Sequence, residues 1–196
     1  MLKSFYFLCV LFPLTVTACF AGSGLYFGAD TITNELHTHV AVKQTFSSPP
    51  PEDINVANSA TKTFLNLGGR IGYKYKRRLD HRFFISPELM VSQLDNDIIY
   101  GTNLKTGFDI SDFSMYVTGG ISHIEQFDKN PFNYGLGVAY KLSRLININL
   151  EWQTFDTLDE NTLAIENFGA QILTTTTATR RDITMIKLGI TIYLHE

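Results

Sequence analysis

Six charged side chains stand in stretches that are otherwise apolar or small: Asp30, Arg70, Glu88, Lys105, Glu151 and Lys187. Glu88 is the plainest case, set in the middle of FFISPELMV at 83–91. A carboxylate in such company survives only when it is paired and hydrogen-bonded, because an isolated buried ion carries a heavy desolvation cost. Three of the six are acids and three are bases, so a closed set of them is neutral. Two kinds of chemistry follow. The six can pair into an ionic plug that fills a lumen, or they can pass a proton or an ion from one to the next. The plug is the favoured reading.

Other candidates are weaker. His37-Thr38-His39 places two imidazoles on one side of an extended chain, but two histidines are too few for a metal centre. Ser122-His123-Ile124-Glu125 has the composition of a hydrolase triad. Adjacent residues of a strand point to opposite faces, however, so Ser122 and His123 are not expected to touch. Arg180-Arg181-Asp182 reads as a solvated charge cluster. No cofactor, metal or catalytic residue is expected, and the protein is read as a non-enzyme.

Elements that alternate with period two must position these groups. Eight strands are expected, at about 24–33, 62–75, 82–93, 98–110, 113–124, 132–142, 145–155 and 183–194. In each, one parity is free of charge. Leu65, Leu67 and Ile71 in the second strand, Ile146, Ile148, Leu150 and Trp152 in the seventh, and Ile186, Leu188, Ile190 and Ile192 in the eighth are typical. The other parity is small and polar and carries all six charges. Glycines and ions suit the crowded interior of a narrow barrel, and bulky aliphatic side chains suit lipid. The fold class is therefore all-β, an eight-stranded antiparallel up-and-down transmembrane β-barrel. Sequential strands then set Asp30 beside Arg70, Glu88 beside Lys105 and Glu151 beside Lys187, with the fifth and sixth strands contributing no charge.

The connections alternate in length, short at 76–81, 111–112 and 143–144 and long at about 34–61 and 156–182. The long ones carry SSPPPED at 47–53 and TTTT at 174–177 and read as unstructured loops. Pro87 lacks an N–H, so a ladder gap or bulge is expected beside it. Tyr73, Tyr75, Phe83, Phe108, Phe113 and Tyr140 gather near the short-turn ends, and Tyr100, Tyr134 and Trp152 near the other, as two aromatic girdles.

The first residues read as an export signal over 1–21, with a basic start at Lys3, the apolar run FYFLCVLFPLTVT and small residues at the cleavage point after Ala21. The barrel domain would then be 22–196. Lipoprotein processing at Cys19 is the minority alternative. Both cysteines, Cys9 and Cys19, fall in this leader, so the mature chain is expected to have neither thiol nor disulfide. With a formal charge of −3 there is no basic signature for nucleic acid.

GLYFGAD, FFISPEL, LKTGFDISDFSMYVTGG, NYGLGVAYKL and KLGITIYL resemble the opacity-type, OmpA/OmpX-like surface proteins of Gram-negative outer membranes. The resemblance covers nearly all of the mature chain. It implies location in the bacterial outer membrane, short turns toward the periplasm and long loops outside. It implies outer-membrane lipids and lipopolysaccharide as surroundings, and a host-cell or other extracellular ligand as partner. The loops would engage that partner, with His37, His39, Arg180 and Arg181 as interaction candidates. A surface antigen or adhesin on a plugged barrel is the first expectation. A narrow porin-like channel is the alternative, and a lipid-modifying barrel enzyme comes third. One departure from that family is the ending Leu194-His195-Glu196, where its members usually close on an aromatic residue.

Overall fold

The computed structural model describes residues 24–47, 53–77, 80–95, 97–168 and 171–194. The expected export signal at 1–21, with Cys9 and Cys19, lies outside the described residues, as do His195 and Glu196. The described chain is built of nine strands: β1 Gly24–Phe46, β2 Asp53–Arg77, β3 Asp80–Leu94, β4 Asp97–Ile110, β5 Phe113–Ile124, β6 Phe132–Lys141, β7 Ile146–Phe155, β8 Leu158–Phe168 and β9 Gln171–Tyr193. Neighbours in sequence pair antiparallel from β1 to β7, β9 pairs with β7, and the β1–β9 ladder closes the ring. β8 continues β7 along the same partner. Between Thr154↔Thr184 and Leu158↔Arg181, three residues of one strand face two of β9, a bulge at the barrel rim. The wall is thus a closed, eight-stranded antiparallel barrel, with β7 and β8 sharing one place in it.

The expected long loops are corrected by the structure. Residues 34–46 and 53–61 continue β1 and β2, and residues 158–168 and 171–182 form β8 and the upper part of β9. Register runs unbroken from Gly24↔Lys74 to Thr45↔Asp53, and from Tyr26↔Tyr193 to Phe46↔Leu173. Above the rim these segments make a four-stranded sheet in the order β2, β1, β9, β8. The reason is chemical. The segments are rich in Thr, which favours strands, but they lie where no hydrocarbon demands an apolar face. Their alternation therefore loses contrast while their pairing persists.

Within the barrel, exposure is inverted relative to a water-soluble fold. Leu67, Leu104, Val117, Leu136, Leu150 and Leu188 are all exposed, while Asp30, Arg70, Glu88, Lys105, Glu151 and Lys187 are all buried. An exterior of this kind needs hydrocarbon around it. The aromatic ends match. Tyr73 lies against Tyr75, Phe83 against Phe108 and Phe113 against Tyr140 at the short-turn end, with ring centroids 4.4, 5.5 and 4.9 Å apart. Pro87 pairs with Leu104 on one side, but on the other the ladder to β2 skips from Gly72↔Glu88 to Tyr75↔Ile85, which is the gap its missing donor requires.

Leu188 faces outward at the level of the buried charges, in register with Thr31 and Leu150. Leu188→Arg is expected to lower the unfolding free energy in lipid vesicles by about 2–4 kcal/mol, the cost of a cation near the bilayer midplane. Leu163→Arg, on the projecting sheet, is expected to change it by less than about 0.5 kcal/mol. Equal losses at the two sites would overturn the assignment of the lipid-facing wall.

Candidate functional site

The lumen is organised in three layers, and the strand parity that turns glycine and polar residues inward builds all of them. In the middle layer the six charges form one continuous chain. Arg70 meets Asp30 at 3.1 Å and Glu88 at 3.7 Å, Lys105 meets Glu88 at 2.9 Å and Glu151 at 2.8 Å, and Lys187 meets Glu151 at 3.3 Å. β5 and β6 carry no charge here, and Lys105 bridges the gap by reaching across the lumen from β4 to Glu151 on β7. Neutral groups fill the remaining valences. Tyr26 donates to Glu88 at 3.0 Å and Tyr116 donates to Glu151 at 3.1 Å. Arg70 donates to Thr191 at 3.0 Å and to Asn149, which in turn donates to Asp30. Paired this way, the ions meet the condition for surviving burial.

Glycine makes the layer possible. A Cβ at Gly137 would collide with the Tyr116 ring, and one at Gly28 with the Arg70 side chain. The sixth strand is small here because the phenol of Tyr116 lies across it to reach Glu151.

Toward the projecting sheet the lumen gains an apolar cluster, with Asn34, Ser122, Asn133 and Gln153 buried beside it. Ile32, Leu94, Ile99, Ile124, Ile183 and Met185 are almost completely buried and pack with Leu36, Met90, Phe155 and Leu158. This stopper was missed in the sequence, although Ile32, Met90, Ile99 and Ile124 continue the inward parity of their strands. Toward the short turns, Phe84 and Tyr116 meet edge to face at 6.4 Å. Below them Lys74 and Lys76 share Asp109 at 2.8 and 3.2 Å, Ser114 donates to the same carboxylate at 2.6 Å, and the Lys74 ammonium sits 4.1 Å over the Phe84 ring. Asp109 also lies on the inward parity, and continuing the pattern past Lys105 would have found it.

The remaining candidates are dispersed. His37 contacts Glu35 at 3.2 Å and Thr61 at 2.8 Å on the projecting sheet, and His39 lies one row further out, in register with Ser59 and Arg180. Among the described residues no group of three or more histidine, cysteine or acidic side chains is placed to hold a metal. Arg180 lies 3.6 Å from Asp182, whereas Arg181 turns to the other face, meets Glu160 at 3.0 Å and stacks over Phe127 at 4.7 Å. Ser122 is buried and accepts from Asn133, while His123 lies on the opposite face against Tyr100 and bonds to Asn130.

No protein-family model matches the sequence, and no curated protein matches it either. Among solved structures the chain is similar to the outer membrane protease OmpT from Escherichia coli, at 8% identity over 92% of this chain and 100% of that one, with a TM-score of 0.46. It is also similar to Neisserial surface protein A, at 12% identity over 88% and 99% with a TM-score of 0.41. A third is Ail, the attachment invasion locus protein of Yersinia pestis, at 9% identity over 80% and 98% with a TM-score of 0.34. A closed antiparallel wall that shows aliphatic side chains to its surroundings and keeps its ions within is stable only in hydrocarbon, and this chain is an eight-stranded, membrane-spanning β-barrel.

Proposed function

We propose that the protein is a surface-exposed binding protein, adhesin-like in its mode of action, in which a plugged barrel anchors a rigid extracellular sheet. The observation that carries this reading is the sheet itself. Beyond Leu36, the outermost β1 residue of the stopper, β1 continues for the ten residues His37–Phe46, about 33 Å at the usual strand rise. The sheet displays Ile54, Val56, Leu163, Ile165 and Ile172 as exposed side chains. Its edges are the upper part of β2, whose pairing with β3 stops at Gly68↔Ser92, and β8, which pairs only with β9. Unpaired edges and exposed apolar groups on a stiff support suit recognition of an extended ligand segment.

His37, His39, Arg180 and Arg181 lie at the base of this sheet, where Arg180 is well placed to contact lipopolysaccharide phosphates. The ionic layer serves as a structural plug, and the stopper beside it argues for anchoring over conduction. The separation of Ser122 from His123 supports binding over acyl chemistry.

Replacing Lys43–Asn55 and Leu163–Thr176 with short turns tests the proposal. Heat-modifiable folding and urea stability are expected to persist, while attachment of bacteria carrying the barrel to host cells is lost. Unchanged attachment with the shortened sheet would refute it.

A further inference from the structure

The short-turn mouth of the barrel holds a cavity of about 270 Å³ that the extracellular reading does not use. Among the described residues five cations line it: Lys74 and Lys76 from β2, Arg82 from β3, Lys141 at the end of β6, and Arg144 in the turn to β7. The lining carboxylates among the described residues are Asp109 and Asp112. This concentration of positive charge runs against the chain as a whole, which carries a formal charge of −3. It is also not a fringe of surface lysines. Lys74 is only 7% exposed, lies on the inward parity and is fixed between Asp109 and the face of Phe84. Above it the lumen narrows at Phe84 and Tyr116 to a space of about 40 Å³ that adjoins the ionic layer. A ligand can therefore reach it only from the short-turn side, which faces the periplasm in a barrel of this type.

We propose that this vestibule binds a phosphate group presented from the periplasmic side. Cations converge on it from several strands, and Ser111 lines the same space, while Ser114 holds Asp109 in place. That donor set fits a tetrahedral, multiply charged oxyanion better than a single planar carboxylate. The focusing of field lines in a cup with low-dielectric walls strengthens the attraction. The phosphate can belong to a small soluble ester or to the headgroup of an inner-leaflet phospholipid. The chemistry at the protein is the same.

The test uses the folded barrel in maltoside micelles, which contain no phosphorus. Inorganic phosphate is titrated at constant ionic strength in chloride and followed by phosphorus NMR and calorimetry. Saturable binding is expected, weakened at least tenfold in Lys141→Gln/Arg144→Gln, whose side chains lie at the rim of the cup and outside the ionic layer. Lys43→Gln on the projecting sheet is expected to bind as the wild type does. Lys74→Gln, checked for heat-modifiable folding, is expected to weaken binding further. Competition by short-chain phosphatidylglycerol would assign the phosphate to a lipid headgroup, and lack of competition would assign it to a soluble ester. Absence of saturable binding, or equal affinity in the wild type and the rim double variant, would overturn the site. Neither result bears on attachment through the extracellular sheet, so the two proposals stand or fall separately.

Discussion

Glu151→Ala is expected to destabilise the barrel by about 3–5 kcal/mol, the usual loss when one partner of a buried ion pair is removed. Glu151 is fully buried and accepts from Lys105 at 2.8 Å, Lys187 at 3.3 Å and Tyr116 at 3.1 Å. Its loss leaves Lys187 with the Met90 sulfur, 3.5 Å away, as its remaining hydrogen-bond acceptor among the described residues. Glu88→Ala should cost less, because Lys105 keeps Glu151 and Arg70 keeps Asp30. The double variant Glu151→Ala/Lys187→Ala should recover part of the loss, since an absent pair is less costly than a stranded ammonium. Urea unfolding in lipid vesicles measures all three. If Glu151→Ala and the double variant unfold at the same denaturant concentration, the stranded-charge account is wrong.

Whether such a layer can be read from sequence depends on contrast between the two faces of a strand. Inside the membrane the contrast is large. Leu67 and Ile71 alternate with Gly68, Arg70 and Gly72, so parity alone orients Arg70 toward its neighbours on β1 and β3. The bridge from Lys105 to Glu151 was not readable. It depends on Tyr116 lying across Gly137, a packing arrangement between strands that place no charge in the ionic layer. Above the rim the contrast disappears. Thr174 to Thr177 present the same side chain to both faces, so a regular strand looked like a loop until its partners Lys43, Gln44 and Thr45 were in place. The bulge at 155–157 had the same effect from the other direction, because it shifts parity and broke one continuous path into what looked like strand and loop.

Conduction is the property on which the lumen's layers make the second large prediction. An ion crossing the barrel meets two different barriers in series. The charged layer is filled by its own side chains and leaves about 40 Å³ beside it. The stopper packs Ile32, Leu94, Ile99, Ile124, Ile183 and Met185 across the lumen, beside the buried polar side chains of Asn34, Ser122, Asn133 and Gln153, and a tightly packed constriction with apolar walls opposes the passage of water and therefore of ions. The wild type is expected to be electrically silent in planar bilayers. Glu151→Ala/Lys187→Ala removes side chains from the charged layer but leaves the stopper, so it should stay silent. Leu94→Ser/Ile124→Ser wets the stopper, at about 2–5 kcal/mol for each large-to-small change in a packed core, but leaves the ions in place, so it should stay silent as well. The fourfold variant is expected to open, giving steady single-channel steps where neither parent gives any. Steady steps in the wild type or in the Glu151/Lys187 double variant would show that the apolar layer does not seal the lumen. A silent fourfold variant that still folds would show that residues outside these two layers close it.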